Sequence, residues 1–539
     1  MKKIDLGVIV TTLIIVTISC SLAFFAARIV GNPKDINLVA KNVSITFTDT
    51  SNIATNETIS PGWNNVKTFT ITNNSKEDFN YNILLKGLVN TFESINTLQY
   101  KITSDTGYNM DNYLNIVKTE NSKDVVLAYD VVIPKGSKQT YQVEFKYISI
   151  DEDQSSDMGK KLGGTLAIEA STGKPKIYDK LLADNPTIKT RTDFNTTFTE
   201  TNTGTLYKAT ESIAGKTSKD VYYFAGDAQN NWVKFAGFYW RIIRTNHDGI
   251  IRLLYSGTSP DTTSGYIGES AFNSSNNNSM YAGYMYGTSG SLDNNRTNKN
   301  NSTIKTYIDN WYSNNLSSYT KYISTEAVYC NDREVVGGSY VAEELNKNSN
   351  SMIAFVDIND TNNLIAIAAP DKHYNFRFSA NIRLQDNKQP TYNCTNNKDA
   401  FSGSNTEAKL TYPIGLMTAD EVVYAGADTI YAMDNFPSTA SVWYFLNKNG
   451  TSITGNIDWW TITPSISTRP LGALSGNSIY LAYVDNASLY VPDVFQGPDS
   501  IYASLAVRPA ISIKSCALWS SGNGSASSPY EISTTSGCW

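Results

Sequence analysis

The sequence predicts a mainly β, α+β chain in which a membrane-spanning helix is followed by a β-sandwich and then by a larger mixed domain. Three observations carry that expectation. The run from Leu6 to Ala27 is uncharged, mostly apolar and 22 residues long, about 33 Å as a helix, which matches a bilayer core. Downstream, the short runs VSITFTD, VKTFTIT, YNILLK, LQYKIT, DVVLAYDVVI and QTYQVEFKYISI alternate apolar and polar residues, the pattern of half-buried strands. The stretch from Val221 to Gly257 is dense in aromatic and β-branched residues and is cut by Asp248-Gly249, a strong hairpin signal because glycine supplies the positive φ of a tight turn.

The first segment sets the compartment. Met1-Lys2-Lys3 is a basic lead-in. A cleavage site after Ala23 is the alternative to an anchor, but Phe24 to Ala27 continues the apolar run, and a cleaved signal usually has a shorter core. Residues 1–31 are therefore expected as a cytoplasmic tip and an uncleaved signal anchor, with the rest of the chain extracellular. Lys2 and Lys3 against Arg28 and Lys34 give a mild bias toward an inside N-terminus. Cys20 does not make a lipid-attachment motif, since Thr17-Ile18-Ser19 matches poorly and the apolar stretch runs past it.

Outside that segment stand Cys330, Cys394, Cys516 and Cys538. An even number in an exported chain suggests two disulfides, and nearest-neighbour pairing is the simplest of three connectivities. There is no CxxC and there are two histidines, so no zinc site is expected. A net charge of −6 and a pI near 5.2 offer no basic field for nucleic acid.

Along the chain, residues 32–172 read as the sandwich, punctuated by Pro61-Gly62, Asn73-Asn74, Asp105-Thr106-Gly107 and Pro134-Lys135-Gly136. Residues 173–204 read as a linker holding a short helix at Ile177–Ala183, stopped by Asn185-Pro186. Residues 205–539 form the last domain. Its central hairpin carries Arg241, Arg244 and Arg252 among apolar residues, so one face should meet solvent or polar partners, and two- and four-residue turns both fit. An Asn/Ser/Gly-rich loop over about 257–302 holds the aromatic islands YIGESAF and MYAGYMYG. Ser302 caps a helix with Ile304, Tyr307, Ile308 and Trp311 at helical spacing. Thr418-Ala419-Asp420-Glu421 is a capping box, and Gly426 stops its helix.

Several of these pieces carry a family likeness. KTFTITNNS and MGKKLGGTLAIEAS resemble the camelysin and biofilm-fibre sandwich proteins, which have immunoglobulin-like β-sandwiches. VYYFAG, NNWVKFAGFYWRIIRTN, IRLLYSG, STIKTYIDNWY, YCNDR, GLMTADEVVYAGA, WWTITPS, AVRPAISI and SSPYEI occur in order over 205–535. That order resembles a domain of unknown function from surface proteins of Gram-positive-type bacteria. Its fold is similar to C-type-lectin-like domains and distantly to the formylglycine-generating enzyme. The resemblance implies two helices around twisted antiparallel sheets and no established activity. Neither the Glu-Pro-Asn or Gln-Pro-Asp loop nor the Trp-Asn-Asp of calcium-dependent lectins occurs. The cysteines are spaced 64 and 22 apart, unlike the close reactive pair of the oxidases.

Asp357 to Asn362 (DINDTN) clusters oxygens but lacks the Gly and closing Glu of a calcium loop. Asp420 and Glu421 are explained by capping and the helix dipole. His247 reads as a solvated turn residue and His373 has no nucleophile to serve. Arg508 reads as a structural donor. Trp443, Tyr444, Trp459 and Trp460 are the candidate ligand-binding residues, because aromatic faces stack on sugars or Pro-rich peptides, with burial in the core as the competing fate. The expectation is a non-catalytic, anchored adhesin or binding module for glycan or protein, without metal or cofactor. A structural component of a surface fibre or biofilm matrix is the alternative, and a formylglycine-oxidase-like enzyme is third.

Overall fold

The computed structural model describes residues 59–335, 376–427, 442–468 and 501–534 nearly throughout. It also describes short stretches at 29–30, 36–38, 43–47, 52–53, 429–430, 478–485 and 488–490, and Cys538. Residues 1–28 of the expected anchor, with Cys20, lie outside these, as do Asp357–Asn362, His373 and Tyr444. Strand makes up 40% and helix 14%, so the protein is mainly β. Among the described residues no helix is long and apolar enough to cross a membrane. The chain divides into two compact units, Met1–Pro175 with Asp179–Thr187, and Lys176–Tyr178 with Ile188–Trp539.

The first unit holds two antiparallel sheets that share one core. One has the order Ile36–Leu38, Val43–Phe47, Asn64–Asn73, Lys138–Tyr147, Leu98–Ser104, Leu114–Asn115. The other runs Ile29–Val30, Leu162–Ala170, Phe79–Asn90, Thr119–Ile133. Alternation places the side chains as the pleat requires: Phe69 and Ile71 on one strand and Tyr141, Val143 and Phe145 on its neighbour are buried. Phe69 and Tyr141 are register partners whose rings stack at 5.0 Å. Tyr81 of the other sheet donates to the Tyr141 hydroxyl at 2.7 Å, so the buried phenols are satisfied across the core.

The second unit is built around the Val221–Gly257 stretch. Lys219–Tyr223, Trp232–Phe235, Phe238–Thr245 and Ile251–Tyr255 are strands of its largest sheet, which also takes in Pro509–Ile513, Ile414–Leu416 and Tyr530–Ile532. The run NWVKFAGFYWRIIR holds two of these strands. Ala236 and Gly237 both take positive φ, 54° and 82°, the two-residue turn whose twist suits a hairpin. The next turn is neither of the two expected. Asn246 and Ile250 still bond through their backbones at 2.7 Å, leaving a three-residue loop in which Asp248 and Gly249 have φ of 63° and 72°.

A second sheet is centred on Trp459–Thr468, paired with Ser478–Asp485. The helix Thr303–Asn315 starts with the Ser302 hydroxyl accepting from the Lys305 N–H at 3.2 Å. The helix Ala419–Tyr424 starts with both halves of the capping box made. Residues 191–202, expected within the connection, bond into this unit. Phe198 donates its N–H to Gly426 at 2.8 Å, and Glu200 accepts from Asp227 at 3.0 Å. The approach is tight enough that a Cβ on Gly226 would lie 2.3 Å from the Glu200 carbonyl, and one on Gly426 2.5 Å from that of Phe198.

Candidate functional site

Cys330 bonds Cys394 and Cys516 bonds Cys538, the nearest-neighbour pairing. The first disulfide forms part of the wall of a polar cavity that also has Glu211, Arg244, Arg252, Asp332, Arg383, Tyr392, Asp420 and Glu421 around it. Each comes from a different local cause. Arg244 and Arg252 stand on the two strands flanking the Asp248-Gly249 turn. Asp420 and Glu421 lie in the first turn of the capping-box helix. Arg383 lies on the π-helical turn Ile382–Asp386, and Asp332 follows the disulfide with a positive φ of 42°.

The charges in this cavity are spent on one another. Glu421 Oε1 accepts from Arg244 at 2.8 Å and Arg252 at 2.6 Å, and its Oε2 accepts from the Thr418 N–H at 3.0 Å. Glu211 accepts from Arg244 at 2.7 Å and shares a 2.8 Å hydrogen bond with His247 Nδ1. Arg383 bridges Asp420 and Asp332, at 2.8 Å to each. Burial alone would raise the Glu211 carboxyl, but Arg244 and His247 outweigh it and hold it down to about 2. Glu421 is likewise lowered: burial opposes, and Arg252 and Arg244 win. Asp332 goes the other way. Burial raises it, Arg383 only partly offsets this, and the Asp420 carboxylate adds to the rise.

The free space is about 20 Å³, room for roughly one water and no more. The Tyr392 hydroxyl, which is buried without a hydrogen-bond partner, has need of one. The arrangement can therefore order a water and lock elements together. It has no room to seat a sugar ring or a peptide side chain.

The tryptophans expected to bind ligand are core. Trp443, Trp459 and Trp460 are 1%, 1% and 0% exposed. Trp459 lies under the Arg508 guanidinium at 4.8 Å, and Trp460 donates its indole N–H to the Ser270 carbonyl at 2.9 Å. Trp443 lies under the Arg241 guanidinium at 5.3 Å, and at this burial none of the three presents an open face. His247 is also corrected: it is buried, not solvated, and binds Glu211 and the Thr217 carbonyl. Arg241, Arg244 and Arg252 meet polar partners rather than solvent. Arg508, as expected, is a structural donor, to the Tyr255 carbonyl at 3.2 Å.

The aromatic islands of the long loop behave differently. Tyr281 and Tyr286 remain half-buried, with rings 5.1 Å apart in an edge-to-face pair. Tyr502, which sequence reading missed, is 60% exposed, the most of any described aromatic residue among the large exposed hydrophobics. Asn273 ties the two segments together: its N–H donates to the Ile501 carbonyl at 2.9 Å, and its side-chain amide reaches the Tyr281 carbonyl at 3.5 Å. Nothing in the sequence marked it: Tyr502 lies in a turn between buried Ile501 and the strand Leu505–Ala506.

No protein-family model and no curated protein matches the chain. Among solved structures, the crystal structure of a ruminal GH26 endo-beta-1,4-mannanase aligns with a TM-score of 0.15 and 16% identity, over 33% of this chain and 28% of that one. A score that low carries no argument about fold or activity.

Proposed function

We propose that this protein is a membrane-anchored extracellular binding protein without catalytic activity, whose second unit recognises a glycan or protein ligand on its long-loop face. One observation carries the reading. The charged groups around the one-water cavity are consumed in mutual ion pairs, while half-buried Tyr281 and Tyr286 and exposed Tyr502 lie on loops that Asn273 bonds together. A rigid base presenting adaptable loops is the usual arrangement of a recognition surface. Two disulfides support an oxidising location, and the apolar Leu6–Ala27 run supports an anchor. The resemblance of 32–172 to surface sandwich proteins and of 205–535 to lectin-like domains agrees with both.

The test is direct. The full chain in mild detergent is applied to glycan and matrix-protein arrays, wild type beside Tyr502→Ala. Binding that the substitution weakens supports the reading. Binding unaffected by any loop-face substitution moves the ligand elsewhere. N-terminal sequencing of the mature protein checks the anchor: a start near Phe24 or later rejects it.

A further inference from the structure

The loop face has a chemical character that narrows its ligand. We propose that the surface around Tyr281, Tyr286 and Tyr502 takes an uncharged polysaccharide and does so without a bridging cation. This rests on the binding reading above. From Ser270 to Leu292 the chain has no Asp, Glu, Lys, Arg or His in 23 residues, although 17% of the whole chain is charged. An anionic polymer needs cationic contacts to replace its counterions. Of the cations nearest in sequence, Arg296 is buried against Glu334 and the Arg333 carbonyl, and Lys299 is exposed beside Asn300, a single charge where an anionic polymer needs several. Lys398, which reaches this region, is paired with Asp293 at 2.8 Å.

What the face does offer suits a neutral sugar. Half-exposed phenol rings present apolar faces for the C–H side of a pyranose, each with a hydroxyl at its rim. The strand pair Met285–Tyr286 and Asn300–Asn301 sets Asn300 opposite Tyr286, its amide donating to the Gly287 carbonyl at 3.0 Å, with Asn301 exposed beside it, so amide oxygens and one further amide are at hand for sugar hydroxyls. The rings are also held in place. Tyr284, between Tyr281 and Tyr286, is fully buried: its N–H donates to Asn331 at 2.7 Å, and its carbonyl accepts from Ser302 at 2.8 Å. Anchoring of that kind reduces the ordering cost of binding.

The experiment is affinity electrophoresis of the full chain in mild detergent. The gels contain soluble β-glucan, galactan or arabinoxylan, with heparin and polyglycerol phosphate as charged comparisons, and immobilised fibronectin and collagen are run in parallel. At least one neutral polysaccharide is expected to retard the protein, equally at 50 and 500 mM NaCl and equally with EDTA. Tyr502→Ala and the Tyr281→Ala, Tyr286→Ala double variant should each weaken retardation about tenfold or more, with the thermal unfolding temperature of Tyr502→Ala unchanged. Retardation only by the charged polymers overturns the inference, as does retardation that survives the tyrosine substitutions or disappears with EDTA. Binding to protein alone, lost in Tyr502→Ala, overturns the polysaccharide and keeps the binding reading. Binding to none of these probes counts against both.

Discussion

Glu421 closes the capping box of its own helix and, with the same carboxylate, takes the Arg252 guanidinium at 2.6 Å, both side chains being 1% exposed. A local device of the helix start is thereby the keystone between that helix and the central hairpin. Buried charges of this kind are tolerated only as a complete set, because removing one partner leaves the other desolvated and unpaired.

Replacing Glu421 by Gln should therefore cost about 3–5 kcal/mol, well above the ~1 kcal/mol of a lost cap. Calorimetry of the full chain reads this as a lowered transition for the second unit, with the transition of the first unit in place. A loss near 1 kcal/mol would mean that the carboxylate serves only its helix.

Stability should also fall on both sides of a mildly acidic plateau. Glu211 sits at about 2 when folded against an ordinary 4.5, so its contribution is complete above about 4.5 and disappears as pH falls toward 2. His247 is raised above 6.5 by its bond to Glu211, so its contribution is complete below about 6.5 and is lost as pH rises through the folded value. Denaturant melts at pH 3, 5.5 and 8.5 should show the maximum in the middle. His247→Gln should flatten the alkaline limb and leave most of the acid one.

The two disulfides close loops of 64 and 22 residues. The chain-entropy model gives about 4 and about 3 kcal/mol respectively. Reduction should lower the unfolding temperature of the second unit, and the cysteine-free 59–171 sandwich region should not respond. Non-reducing peptide mapping that finds free thiols or crossed pairs would contradict the connectivity.

Trp459→Ala and Trp460→Ala should destabilise by about 3–5 kcal/mol, as large rings removed from a packed core do. Tyr502→Ala should stay within about 0.5 kcal/mol of wild type. Equilibrium unfolding separates the two classes: a mild Trp460 variant would show that its bond to Ser270 and its packing matter little.

The segment 191–202 offers a further check. A chain starting at Ile188 should be more stable than one starting at Thr205 by about 2–5 kcal/mol. The shorter chain loses the backbone bonds of Phe198, Glu200 and Asn202 and the Arg191 bond to the Tyr424 carbonyl at 2.6 Å. Equal melting temperatures would make the segment a passive tether.

Sequence alone determined what depends on neighbours in the chain. Alternation in VKTFTIT and QTYQVEFKY marked strands, Ser302 and Thr418 marked helix starts, and Asp248-Gly249 marked a turn, because pleat, cap and positive φ are local requirements. The nearest-neighbour cysteine pairing was legible as the simplest choice. Tertiary structure decided what depends on which segments meet. Trp459 and Trp460 look the same in sequence whether they face a ligand or a core, and the packing of the 270 loop and Arg508 against them made them core. His247 looks like a turn residue until Glu211, 36 positions away, is folded beside it. Arg244, Arg252 and Glu421 are separated by up to 177 residues, and burial sets their meaning, since a charge in a low-dielectric interior is defined by its partner. Tyr502 is exposed in a turn whose neighbour Ile501 is buried, a placement set by how that turn packs and not by any pattern in the chain.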